Sequence, residues 1–138
     1  MSITNLEVID DALKGLNVIS EVATASAEQG KYVLTKLNQM MEMWREDGIS
    51  VGFFPQSATT ETCPVPDYAE LAVISSLSVV IAPKYGASLS PELVAIIDRS
   101  YTALLRKSLS EKLDNTDMSH LPIGQGHFGT RYDITTDN

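Results

Sequence analysis

The sequence predicts an all-α fold: a four-helix bundle-like domain followed by an extended C-terminal tail. Three observations carry that expectation. Apolar residues recur at helical spacing through four segments. Residues that cap helix N-termini stand in front of those segments. Past residue 113 the apolar period stops and Gly, Asn, Thr and Asp dominate. The chain therefore divides into a helical domain, residues 1–113, and a tail, residues 114–138.

The elements follow in order. Thr4 and Glu7 form a T-x-x-E capping box, and Leu6, Ile9, Leu13 and Leu16 recur behind it, so a first helix is expected from Thr4 to Leu16. Val18 and Ile19 enter a connection. Ser26 and Gln29 make a second box, and Val33, Leu37, Met40, Met41 and Trp44 share one face up to Glu46, where Asp47-Gly48 is a stop. Ile49 to Phe54, ISVGFF, is short and β-prone. Pro55, Pro64 and Pro66 frame a Thr-rich loop that holds Cys63.

Asp67 and Glu70 form a third box ahead of ELAVISSLSVVIAP, a run apolar almost all round. It should be the central helix, most buried from Leu71 to Ile81, with Ser75, Ser76 and Ser78 small enough for close helix contact. Pro83 and Gly86 end it. Ser90-Pro91-Glu92 is a helix start with an N-cap serine, a first-turn proline and an acid at the positive dipole end. Leu93, Ile96, Ile97, Leu104, Leu105 and Leu109 continue as its stripe to about Lys112, with Arg106, Lys107 and Lys112 gathered at the negative end. The tail has 25 residues and reaches about 80 Å if fully extended.

Bulk properties exclude several functions. At 138 residues, 43% hydrophobic and 20% charged, the chain suits one domain with a genuine core. No apolar run approaches the roughly 20 residues of a membrane span, and the acidic start MSITNLEVIDD lacks the basic stretch of a secretory signal. Cys63 is the sole cysteine, so no internal disulfide forms, which fits a reducing compartment. The net charge of −8 is the wrong sign for sequence-independent DNA binding. It suits solubility, or a surface past which DNA moves without being held.

The candidate sites are weak. GQGHFG, Gly124 to Gly129, matches G-x-G-x-x-G, yet Pro122 precedes it and only nine residues follow. A phosphate-binding loop needs a strand before it and a helix after it. No nucleotide or other cofactor is expected, and the glycines suit a backbone that turns and lies close to another surface. His120 and His127 with one distant cysteine make a poor zinc set. Glu42, Glu46 and Asp47, beside Arg45, could serve glycoside hydrolysis, but carboxylates one turn apart on a helix are usually solvated. Met40, Met41, Met43 and Trp44 read as core filling, with a Met-rich contact surface as the alternative. Nothing resembles a nucleophile elbow.

Three stretches carry a family resemblance. MMEMWREDGI, Met40 to Ile49, resembles the end of the second helix in head-to-tail adaptors of short-tailed bacteriophages, also called packaged-DNA stabilisation proteins or tail accessory factors. IAPKYG, Ile81 to Gly86, resembles the end of that family's next long helix, and LPIGQG, Leu121 to Gly126, its Pro-x-Gly-x-Gly extension. They occur in the family's order over about Ile3 to Gly126. The resemblance implies a structural virion protein made in the host cytoplasm and placed at the head-tail junction, rather than an enzyme. Members dock under the portal protein as a ring of commonly twelve copies, extend the DNA channel, help retain the genome and offer a platform to later tail proteins.

The portal-binding role would fall on the tail: Leu121, Pro122, Ile123, Gly124, Gly126, His127, Phe128 and Tyr132. Phe128 would be its main anchor. The chain departs from the family in a short tail after Gly126 and in the loop from Pro55 to Pro66. Two alternatives remain: a peptidoglycan-degrading virion enzyme using Glu42, Glu46 or Asp47, and a helical interaction domain unrelated to phage.

Overall fold

The computed structural model describes residues 2–114. They form four helices: α1 Asn5–Gly15, α2 Ala27–Glu46, α3 Asp67–Tyr85 and α4 Pro91–Asp114. Helix α3 is the hub. It packs against α1, α2 and α4, and α4 packs mainly on α3, with Tyr101 reaching Trp44 of α2. The core holds Ile9, Leu13, Leu37, Val73, Leu77 and Ile81, all buried.

Local chemistry sets most helix boundaries. Both expected capping boxes form: Glu7 N–H donates to Thr4 Oγ1 at 3.2 Å and Gln29 N–H to Ser26 Oγ at 3.3 Å, with each N3 side chain accepting from its cap backbone. Ser90 Oγ accepts from Leu93 N–H at 3.1 Å, which starts α4 as expected. Helix α3 stops at Gly86, whose φ of 60° is a left-handed conformation that only glycine adopts freely. Ala87 N–H then reaches Ala82 C=O at 3.1 Å.

The third box does not form. Pro66 occupies the N-cap, has no side-chain oxygen to offer, and leaves Asp67 already inside the helix. Pro83 does not end α3 either, because the helix continues to Tyr85 before Gly86 turns it. Leu71, placed in the most buried stretch, is 60% exposed. The helix is apolar all round, so sequence alone could not show which side faces away from its neighbours. Ile96 and Leu109 of the α4 stripe are also exposed, and only Leu104 and Ser108 of that helix are buried. Met43 is 55% exposed while Met40, Met41 and Trp44 are buried, since only these three share a face at 3.6 residues per turn.

The β-prone stretch 49–54 is not a strand; the described residues contain only an isolated bridge between Thr4 and Thr62. Ile49 enters the core, and Val51 and Phe53 pack against it. The loop to α3 is nonetheless fixed by long-range hydrogen bonds. Asn5 N–H donates to Glu61 C=O at 2.9 Å and Leu6 N–H to Thr59 C=O at 2.8 Å, so the loop satisfies donors that the start of α1 leaves open. Asn38 pairs with the Gln56 backbone in both directions at 2.9 Å. Buried Asn5 donates from Nδ2 to Gln56 Oε1 at 3.0 Å and to Ala58 C=O at 2.9 Å.

Helices α1 and α3 meet through small residues. Ser78 Oγ donates to Ala12 C=O at 3.1 Å, and a Cβ on Gly15 would sit 3.7 Å from the same oxygen. The buried α3 serines thus permit the close approach expected of them.

Candidate functional site

The carboxylates suggested for hydrolysis sit on open helix surface. Glu42 accepts from Arg45 at 2.8 Å, an ion pair whose side chains are 54% and 67% exposed. Glu46 is exposed on the same turn, and Asp47 accepts from Tyr101 Oη at 3.5 Å. Tyr101 in turn makes an edge-to-face contact with Trp44 at 5.6 Å between ring centres. Asp47 links the end of α2 to α4 through Tyr101, and all three acids are exposed, the arrangement of a solvated helix end.

Cys63 is buried, and burial together with nearby Glu70 pushes its thiol up to about 11. A neutral thiol of that kind is a poor nucleophile. Its N–H donates to Ile3 C=O at 2.8 Å, which ties the loop to the chain start. No group of acids, cysteines and histidines among the described residues has the arrangement of a metal site.

Two surfaces carry unbalanced chemistry. The first is a recess of about 310 Å³ lined by Ser2, Ile3, Glu7, Asp11 and Glu70. Glu7 and Asp11 lie one turn apart on α1 and therefore share a face. Glu7 is held ionised by hydrogen bonds from the Thr4 amide and hydroxyl, which keep its carboxyl below the usual range. Glu70 enters from α3, and its Oε1 is buried without a hydrogen-bond partner. In the sequence Glu70 reads as a capping residue, and this placement is not legible there because only the α1–α3 packing brings the three acids together.

The second surface is the outer side of α4. A hollow lined by Tyr68, Leu71, Ala103, Leu104 and Lys107 opens between α3 and α4. It shares Ala103 with a neighbouring hollow flanked by Asp98, Arg99 and Arg106. Lys107 Nζ lies over the Tyr68 ring at 3.3 Å from its centre, a cation–π contact. Leu71, Leu109 and Leu113 are exposed nearby on the same two helices.

The tail residues Leu121, Pro122, Ile123, Gly124, Gly126, His127, Phe128 and Tyr132 lie outside the described residues, as do His120 and the GQGHFG stretch. No helix among the described residues is long and apolar enough to cross a membrane.

Comparison with curated proteins finds no match. A family model described as P22 tail accessory factor, however, matches residues 1–137, which takes in all four helices and nearly the whole tail. The chain belongs to the P22 tail accessory factor family.

Proposed function

We propose that this chain is a head-to-tail adaptor: a structural virion component that assembles as a ring beneath the phage portal, extends the DNA channel and offers a platform to later tail proteins. Family membership supplies the structural place in a phage virion. The observation that carries the finer reading is the length of the match, which runs through the helical domain and on to residue 137. On this reading the tail docks and the helices pack, within the one stretch that the family model matches.

The geometry supports this division. Every buried residue among those described lies at or before Ser108, and the last turns of α4 are exposed among them. The tail keeps Leu121, Ile123, Phe128 and Tyr132 as large anchors for a partner, with Pro122, Gly124, Gly126 and His127 shaping the backbone between them. An extended segment gains affinity by distributing apolar and backbone contacts along a surface. The net charge of −8 also suits a channel wall, since a negative surface repels phosphates and lets DNA slide.

Electron microscopy of the full chain mixed with its portal tests the proposal. A ring of added density on the portal, with a thread of chain reaching onto the portal surface, is expected. Portals that stay bare at saturating concentration reject it.

A further inference from the structure

We infer that in the free chain the tail turns back on the helix it leaves and seats Leu121 and Ile123 in the hollow between α3 and α4, so that a portal must draw these anchors away from the chain's own surface. The regulation rests on the adaptor reading above, which makes the same two residues part of the docking segment; the contact itself does not.

The hollow has a volume of about 290 Å³ and lies between Tyr68 and Leu71 of α3 and Ala103, Leu104 and Lys107 of α4. Leu104 is buried, but Tyr68 and Leu71 are 51% and 60% exposed. Exposed apolar surface of this kind marks a contact. Charge does not choose the occupant. Lys107 is the one charged residue lining the hollow among those described, and its ammonium already lies over the Tyr68 ring. The occupant is therefore apolar. A cavity of about 150 Å³ lined by such groups already holds a benzene molecule, so the hollow has room for two aliphatic side chains.

Where the chain goes next selects that occupant. Helix α4 ends at Asp114, seven residues past Lys107 and eleven past Ala103. Those spacings are close to two and three whole turns, so the three residues share one side and the tail leaves α4 on the side where the hollow opens. Back along the helix, Leu104 is about 15 Å from Asp114. Forward, the seven residues to Leu121 reach about 23 Å when extended, which leaves slack for a turn. The spacer begins Asn115-Thr116-Asp117, with turn-forming Asn and Asp. Leu121-Pro122-Ile123 follows; the proline biases Leu121 toward extended backbone, and residues two apart in an extended run face the same side. A tether this short holds the run beside the hollow at an effective concentration in the millimolar range, so two aliphatic side chains suffice to occupy it. A portal that takes the tail must first release it, and its apparent affinity falls with the fraction that is docked. The anchors stay covered until a longer surface, one that also receives Phe128 and Tyr132, competes for them.

Disulfide trapping in the full chain tests this. Ala103→Cys and Ile123→Cys are combined with Cys63→Ala and oxidised at low protein concentration. In the control Thr102→Cys replaces Ala103→Cys, because it stands at the same height on α4 but about 100° round the helix. The Ala103 pair should close within one chain about tenfold faster than the control or more. Leu71→Gln, which makes one wall of the hollow polar, should bring that rate down to the control. Should Cys63→Ala lose helix content, Cys63 is kept, since its buried thiol is a poor nucleophile. Equal rates at the two positions, a fast rate indifferent to Leu71→Gln, or links formed between chains rather than within one overturn the contact. Co-sedimentation with portal rings reads the regulation. The linked chain should bind portal about tenfold more weakly than the same chain after reduction; equal binding overturns the regulation. Trapping as described in a chain whose reduced form and parent both ignore portal overturns the adaptor reading and leaves the contact standing. A parent that binds portal while the Ala103 pair closes no faster than the control overturns the contact and leaves the adaptor reading standing.

Discussion

Cys63 takes its chemistry from its position rather than from its neighbours in sequence. The loop carries it under the start of α1, where burial and Glu70 raise its thiol from the ordinary 9.0 to about 11. Between those values the folded chain keeps the proton that the unfolded chain has lost. The unfolded state then binds fewer protons, so stability falls as pH rises from about 9 to about 11. Tyr85 and Tyr101 are raised as well, chiefly by burial, and add a loss in the same direction at higher pH. Urea midpoints measured across this window should drop for the parent and drop less for Cys63→Ala, which keeps only the tyrosine contribution. Parallel curves for the two proteins would remove the thiol from the explanation.

Helices were legible where short-range patterns decide them. Thr4–Glu7 and Ser26–Gln29 act over three residues, and the faces of α1 and α2 each have one apolar side, so both elements emerge at the expected boundaries. Where no local pattern exists, the sequence is silent. The order of the loop before α3 depends on Asn5 and Gln56, 51 residues apart, and ISVGFF has strand propensity but no partner strand among the described residues. Helix α3 falls between: its existence is plain from the apolar run, but its exposed side at Leu71 is not. The acidic recess was illegible for the same reason as the loop, since Glu70 meets Glu7 and Asp11 only after α1 and α3 pack. Leu77, fully buried at the centre of α3, reports the hub most directly. Leu77→Ala should cost about 2–5 kcal/mol, the lost burial plus the cavity left behind. Leu71→Ala should cost far less, because its side chain is mostly in water. Denaturant unfolding of both variants checks the ranking, and equal losses would mean that α3 is not the hub.

At the scale of the molecule the question is whether two parts of one chain carry two separable tasks. The described core closes by Ser108, and α4 continues beyond it to Asp114 with its last turns exposed. A chain ending at Asp114 should therefore keep its helix content and cooperative unfolding. Under the proposed docking role, the tail would spend its ordering entropy on the partner, so its removal should act on binding rather than on folding. Co-sedimentation with assembled portal should show stable binding by the full chain and none by the truncated one. Phe128→Ala should be the most damaging single change within the tail, since a buried aromatic anchor often contributes about 2 kcal/mol or more at an interface. The two measurements constrain each other. A truncated chain that loses both binding and cooperative unfolding would make the tail part of the core. A truncated chain that stays folded and binds like the parent would move docking onto the helices, where the outer side of α4 and the acidic recess are the surfaces left to do it.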